Sequence, residues 1–188
     1  QAWSSAASDV YKRQIYIINE ENIPQESLEY LNDFFQNKVF PNLKIVLLNE
    51  NDSFPQLTDF SSFLIVSIIS KNKKLYYALI QLPTEINRFI VLDDKDKKNI
   101  LMIDDLIRYN LNQLFKIFDP LEVTANMIKF SRDAELDFDD DISKSYLEKI
   151  SQSVKDRLKG EPVRFVYDKE INAETLKFLL SKMNINSD

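Results

Sequence analysis

The side chains of this sequence that could do chemistry are carboxylates and arginines. The 188-residue chain contains no histidine, no cysteine and a single glycine. Histidine-based triads, thiolate zinc sites and Gly-rich phosphate loops are therefore excluded within it. Paired aspartates could act as general acid and base, but the sequence places no nucleophile or stabilising donor beside them. We predict neither a catalytic residue nor a metal ligand in this chain.

An acidic run gives the best match to a metal-binding pattern. Asp137, Asp139 and Asp141 fall at positions 1, 3 and 5 of a calcium loop, and Glu148 falls at position 12. Position 6 is Ile142, although the sharp turn of such a loop needs glycine there. Carboxylates also cluster before helices because the helix dipole stabilises them. We favour this second interpretation over a calcium site.

A second acidic pair, Asp104 and Asp105, precedes a segment with helical periodicity. Aspartate is a preferred N-cap residue, because its side chain accepts hydrogen bonds from free backbone amides. We therefore interpret the pair as a helix cap rather than as an acid and base couple.

Three arginines border apolar segments with strand character, namely Arg88, Arg132 and Arg164. We expect each to be partly buried, and a buried guanidinium needs carboxylates or carbonyls around it. One interpretation is a bidentate phosphate clamp, and the other is a structural ion pair. The chain has 30 acidic and 24 basic residues and a formal charge of −6, which favours the ion pair. The same balance argues against nucleic acid as the main partner.

Periodicity predicts about seven strands and four helices in interleaved order, hence one α+β domain with a mixed, largely antiparallel sheet. The continuous apolar run 43–48 predicts a buried strand. Runs 60–69 and 75–82 predict a hairpin with a charged tip. Asn172 is expected to cap the last helix. Along the hairpin, adjacent Tyr76 and Tyr77 must point to opposite faces, so one of them is expected to be exposed.

Residues 1–14 are interpreted as a tag-like segment or artefact, because they are rich in Ser and Ala and show no periodicity. Residues 15–188 form the predicted domain. No apolar run approaches the ~20 residues that span a bilayer, and no secretory signal is visible. We therefore predict a cytoplasmic protein.

The stretch from Lys129 to Asp137 reads Lys-Phe-Ser-Arg-Asp-Ala-Glu-Leu-Asp. It resembles the Arg-Asp-Ala-Glu/Asp-Leu signature of the head, or middle, domain of bacterial polyphosphate kinases. Three further stretches follow the family's order: Leu82-Pro83 with Asn87-Arg88-Phe89, Ile107-Arg108-Tyr109-Asn110-Leu111, and Arg157 through Gly160 to Val163-Arg164-Phe165. The resemblance departs at Asn87, where the family commonly has proline, and at Ser131, where threonine or valine is more usual.

The resemblance marks Arg88, Arg132, Asp133, Arg157 and Arg164 as family motif residues that are structural or face phosphate. It implies a parent enzyme that transfers the γ-phosphate of ATP to polyphosphate, with magnesium, through a phosphohistidine. The catalytic histidines of the family lie in two C-terminal domains, so the resemblance implies an inactive domain, truncated before them, that serves scaffolding and dimerisation.

The implied partners are the parent's own N-terminal and C-terminal domains, a second copy of the enzyme, and polyphosphate and ATP through the parent. ATP and magnesium are implied for the full-length enzyme and no cofactor for this chain. The alternative is a stand-alone interaction or ligand-binding module without a catalytic parent. Aromatic side chains are the candidate interface anchors; they are Phe54, Phe60, Phe63, Tyr76 and Tyr77. We expect the core to bury most of them.

Overall fold

A computed structural model describes residues 15–49, 52–55, 61–94, 97–132 and 162–183 of the chain. Within these ranges it contains eight strands in two sheets. The strands are β1 Ile15–Ile18, β2 Lys44–Leu48, β3 Ser62–Ser70, β4 Leu75–Gln81, β5 Phe89–Asp94, β6 Lys97–Met102, β7 Pro120–Arg132 and β8 Pro162–Tyr167. The same ranges hold four α-helices: α1 Leu28–Phe34, α2 Ile103–Tyr109, α3 Leu111–Leu114 and α4 Ala173–Lys182.

The larger sheet is fully antiparallel, with the strand order β2-β4-β3-β7-β8. Strand β3 lies at its centre and alternates between two cores. Leu64, Val66 and Ile68 face one core, and Phe63 and Ile65 face the other. This arrangement explains the nearly continuous apolar sequence of β3, because a strand covered on both faces has no polar side.

The smaller sheet has the order β1-β6-β5, with β1 parallel and β5 antiparallel to β6. One face of it packs on the first core through Ile18, Leu101, Ile90 and Leu92. Helix α1, which continues through a π-helical turn at Phe35–Val39, and helix α2 fill the space between the two sheets. The first core therefore lies between the sheets.

Helix α4 covers the opposite face of the larger sheet and forms the second core. Asn172 caps this helix, because its side-chain oxygen accepts a hydrogen bond from the backbone amide of Glu174 at 2.9 Å. The rings of Tyr77 and Phe178 stack with centroids 4.1 Å apart. Leu179 and Ile128 are fully or almost fully buried in the same cluster. The cap and the aromatic stack together fix α4 on the sheet.

The predicted fold class is confirmed as a single α+β domain, although the strands divide between two sheets. The predicted hairpin and the Asn172 cap are also confirmed. Two expectations are wrong. Strand β2 is an edge strand in which Ile45, Val46 and Leu47 are exposed, and the sequence prediction treated its apolar run as buried.

The second error concerns the two tyrosines of β4. They do point to opposite faces, but neither is exposed. Tyr76 packs on Phe118 with ring centroids 5.0 Å apart, and Tyr77 stacks on Phe178. Both faces of β4 are covered because the strand lies between β2 and β3 with a core on each side. Phe63 is buried and Phe54 packs against the second core, as expected of core aromatics.

Several predicted features lie outside the described residues. They are residues 1–14, Phe60, the motif residues Asp133 and Arg157, the acidic run with Asp137, Asp139, Asp141 and Glu148, the helix predicted at 143–158, and the expected helix cap at Gly160. In the described ranges, no helix has the length and apolar character needed to cross a membrane.

Candidate functional site

The most concentrated group of charged side chains surrounds helix α2. This helix begins directly after β6, and the Ile103 amide donates a hydrogen bond to the Arg88 carbonyl at 2.9 Å. Leu106 and Ile107 are buried in the first core, which fixes the rotation of the helix. That rotation aligns Asp104, Asp105 and Arg108, since residues three and four positions apart share one side of a helix.

Arg108 is the centre of the group, and its side chain is only 15% exposed. Its Nη1 lies 2.7 Å from Asp105 Oδ1 and 3.1 Å from Asp104 Oδ2. Its Nε donates to the backbone carbonyl of Ala125 on β7 at 3.1 Å. Its Nη2 donates to Asp168 Oδ2 at 3.2 Å. The guanidinium is thus bonded on each of its three nitrogens.

Asp168 follows β8 and extends the group to a third part of the chain. Its Oδ2 also accepts the Met127 amide at 2.6 Å, and its own amide donates to the Met127 carbonyl at 3.0 Å. Arg108 and Asp168 therefore connect α2, the middle of β7 and the segment that leads into α4. We refer to Arg108 with Asp104, Asp105 and Asp168 as the Arg108 cluster.

Arg88 lies at the edge of this cluster. Its Nε is 3.8 Å from Asp104 Oδ1, and its Nη2 is 3.5 Å from the sulfur of Met127. The Asp104 side chain is 5% exposed, and its Oδ1 has no hydrogen-bond partner among the described residues. Arg88 is 47% exposed and offers this oxygen charge compensation rather than a hydrogen bond.

The electrostatics of the cluster are dominated by its carboxylates. Three carboxylates face two guanidinium groups, so one negative charge is in excess. Burial, together with the charge of Asp104 and against the opposing effect of Arg108, raises the pKa of Asp105 from 3.8 to about 6. A phosphate would meet repulsion here, because its natural partner Arg108 is already occupied by carboxylates. The geometry fits a structural junction.

No group of three or more acidic, histidine or cysteine side chains is arranged to hold a metal ion in the part of the chain that the structure describes. The three carboxylates of the Arg108 cluster instead surround the guanidinium, which supplies the positive charge. The described residues of this cluster therefore do not fit a magnesium site.

The structure separates the arginines that the sequence analysis grouped together. Arg88 lies at the edge of the Arg108 cluster, but Arg164 lies exposed on β8, where it is in register with Ser131. The expectation of partial burial is wrong for Arg164 and holds only in part for Arg88. Arg132 ends β7 beside a register shift, and its side chain is outside the described residues.

The interpretation of Asp104 and Asp105 as a cap is also wrong. The N-cap of α2 is Met102, and no side chain caps the helix there. The two aspartates instead occupy the first helical turn, where the dipole favours carboxylates, and they bind Arg108.

Arg108 is the residue that the sequence analysis passed over, although it lay inside a quoted family stretch. Its spacing from the aspartates, three and four positions along a helix, was a readable signal for ion pairs. Nothing local pointed to Asp168, which lies 60 positions away in sequence.

Comparisons with known proteins identify the family of this chain. A family model described as the polyphosphate kinase middle domain matches residues 26–188. The chain belongs to the polyphosphate kinase middle-domain family. A polyphosphate kinase of Vibrio parahaemolyticus is 34% identical over 193 residues, which cover 100% of this chain and 28% of that protein.

A polyphosphate kinase of Escherichia coli K12 is 30% identical over 184 residues, covering 95% of this chain and 27% of the relative. The chain thus spans little more than a quarter of the length of these curated relatives. The crystal structure of polyphosphate kinase from Porphyromonas gingivalis matches with a TM-score of 0.69 at 21% identity. That match covers 96% of this chain and 25% of the other, and it supports the fold.

Proposed function

We propose that this chain is the non-catalytic middle domain of a longer polyphosphate kinase, in which it serves as a scaffold and contributes to dimerisation. The observation that carries the proposal is an apolar surface on the smaller sheet. This outer face consists of Ile15, Ile17, Phe89, Val91, Ile100 and Met102. It lies opposite the side of the sheet that packs on the first core.

The register of the smaller sheet places these six side chains together. Ile17 and Val91 are both aligned with Ile100 on the central strand β6, and Phe89 is aligned with Met102. The flanking residues are strongly exposed, with Ile15 at 63%, Ile17 at 71%, Phe89 at 57% and Val91 at 50%. Contiguous apolar surface of this kind on a folded domain marks a contact with another protein surface.

The proposed occupants of the outer face are the other domains of the same enzyme and a second copy of it. A middle domain that spans about a quarter of its relatives' length must contact the remainder of such an enzyme. The Arg108 cluster also supports a scaffolding role. Its buried arginine is already bonded to carboxylates and is therefore not free to bind phosphate.

In this proposal the full-length enzyme transfers the γ-phosphate of ATP to polyphosphate, with magnesium, in the cytoplasm. A phosphohistidine intermediate would lie in another part of the enzyme, because this chain contains no histidine. Arg88, Arg132, Asp133, Arg157 and Arg164 are proposed to be structural rather than catalytic. The residues of this chain would position the catalytic part and would not touch the reacting atoms.

The test is a charge substitution on the outer face of the full-length enzyme. Val91→Lys should weaken dimerisation or lower kinase activity, while the isolated 188-residue chain carrying the same change keeps its circular dichroism spectrum. Ile117→Lys is the matched control, because Ile117 is 90% exposed and lies outside the outer face. Unchanged assembly and activity in Val91→Lys would overturn the scaffolding role of this face.

The gene offers a separate test of the parent enzyme. We expect the reading frame beyond Asp188 to encode a catalytic part with histidines. A stop codon there would instead favour a stand-alone interaction module.

A further inference from the structure

We propose that the hairpin between β3 and β4 carries a binding site for linear polyphosphate. The site, termed the basic tip, consists of Lys71, Lys73, Lys74 and Lys116. The choice of polyphosphate as the ligand rests on the proposed function. The geometry and charge of the basic tip do not depend on any kinase activity.

The backbone of the tip is closed by short hydrogen bonds. The Ser70 amide donates to the Lys74 carbonyl at 2.9 Å, and the Lys73 amide donates to the Ser70 carbonyl at 2.8 Å. The Ser70 hydroxyl donates to the Lys74 carbonyl at 3.0 Å. Ser70 itself is 1% exposed, so the turn is anchored in the protein. The lysines therefore project from an ordered turn, which lowers the entropy cost of binding.

A second turn at Lys116–Phe118, which ends at Asp119, is hydrogen-bonded to the hairpin and adds a fourth lysine. The Lys71 amide donates to the Asp119 carbonyl at 3.0 Å, and Lys71 Nζ lies 2.6 Å from Asp119 Oδ1. The Asp119 amide in turn donates to the Lys116 carbonyl at 3.1 Å. Lys116 thus belongs to the turn that packs beside the tip.

The charges at this end of the domain are mostly positive. Asp119 compensates Lys71, whereas Lys73, Lys74 and Lys116 are exposed and form no ion pair with a carboxylate in the described ranges. A second acidic residue, Glu122, lies on β7 in register with Ile69. A local excess of positive charge on a chain of net charge −6 creates a defined anion-attracting region.

The backbone of Lys73 supports a role for its side chain. Lys73 has a φ of 61°, which is the left-handed conformation. Hairpin loops of three residues favour glycine at this position, because a Cβ atom is disfavoured there. Glycine would serve the turn better, so the lysine is present at some cost in backbone energy. This cost is consistent with a role for its ammonium group in binding an anion.

Polyphosphate fits this surface because every unit of it carries negative charge and no base or sugar has to be accommodated. An anionic membrane is the competing ligand, since Ile117 is 90% and Leu121 is 68% exposed next to the second turn. We favour polyphosphate, because three of the four lysines lie on the rigid hairpin rather than on a helix that could lie in a membrane.

The experiment measures binding of polyphosphate of defined length to the 188-residue chain at several salt concentrations. Neutralising Lys73, Lys74 and Lys116 together, as Lys73→Asn, Lys74→Gln and Lys116→Gln, should reduce the slope of log K against log salt by about 2. Asparagine is chosen at position 73 because it tolerates the left-handed conformation. Lys169→Gln is the matched control, since Lys169 is an exposed lysine after β8.

A second variant separates binding from folding. Lys73→Gly should leave the unfolding midpoint unchanged or higher, because it relieves the left-handed lysine, and it should still weaken polyphosphate binding. Equal affinity and salt slope in the triple variant and Lys169→Gln would overturn the proposal. So would binding of the chain to anionic phospholipid vesicles without binding to polyphosphate. Neither outcome bears on the test of the outer face, because that test measures assembly and kinase activity of the full-length enzyme.

Discussion

Arg108 donates a hydrogen bond to Asp168 at 3.2 Å, across 60 positions of sequence. This single contact joins the helix that follows β6 to the segment that precedes α4. Because Asp168 also accepts the Met127 amide, the pair links the packing of the two cores through β7. Substitution of either residue should therefore lower the stability of the fold.

Arg108→Ala should lower the free energy of unfolding by about 3 kcal/mol, because it leaves Asp105 and Asp168 without their cation and Asp104 with only the more distant Arg88. Urea denaturation measures the change. Arg164→Ala is the control and should shift the free energy by no more than about 0.5 kcal/mol, as expected for an exposed side chain. Equal stabilities of the two variants would contradict the junction role of Arg108.

Arg132→Ala tests the sequence-based interpretation of that arginine as part of a structural ion pair. We expect a destabilisation of about 2–4 kcal/mol with no loss of polyphosphate binding. An unfolding midpoint that barely moves, together with collapse of polyphosphate binding, would favour the phosphate clamp instead.

Asp105 should give the domain a pH-dependent stability. Its pKa is about 6 in the folded protein and 3.8 as a free side chain, so between these values the folded state binds more protons than the unfolded state. Stability from this group is therefore present at acid pH and falls as pH rises through about 6. Relative to Asp105→Asn, the wild type should lose about 1–3 kcal/mol between pH 4 and pH 7.

Urea unfolding of both proteins at several pH values measures that difference. The comparison cancels the other carboxylates to first order, because they are common to both proteins. A stability difference that stays constant with pH, or that moves in favour of the wild type as pH rises, would show that the pKa of Asp105 is not raised.

Local signals in the sequence were enough to predict much of the fold. The apolar runs of β3 and β4, the charged turn between them and the cap at Asn172 each depend on neighbouring residues, and the structure confirms them. The burial of β2 could not be read in the same way. Its apolar run resembles a central strand, and only its position at the sheet edge exposes Ile45 and Leu47.

The candidate site was harder to predict than the fold. The sequence shows the helical spacing of Asp104, Asp105 and Arg108. The role of Arg108 as a junction depends on Asp168 and on the Ala125 carbonyl, which only the tertiary structure brings to it. The exposure of Arg164 likewise follows from β8 lying at the edge of the larger sheet. An arginine beside an apolar run is buried only when another element covers it.

The oligomeric state should depend on the length of the protein. We expect the 188-residue chain to be monomeric or weakly self-associating at micromolar concentration, and the full-length enzyme to be a dimer. The physical reason is that a dimer contact involving other domains is incomplete in this chain. Light scattering of both proteins measures the masses, and a tight dimer of the chain alone would show that the interface lies entirely within it.

A polymerisation assay shows whether this domain has catalytic activity of its own. The 188-residue chain is incubated with labelled ATP, magnesium and a polyphosphate primer, beside the full-length enzyme and a mock preparation. Because the chain has no histidine to carry a phosphoryl group, we predict labelled polymer from the full-length enzyme and none above the mock level from the chain. Labelled polymer made by the chain alone would contradict the account.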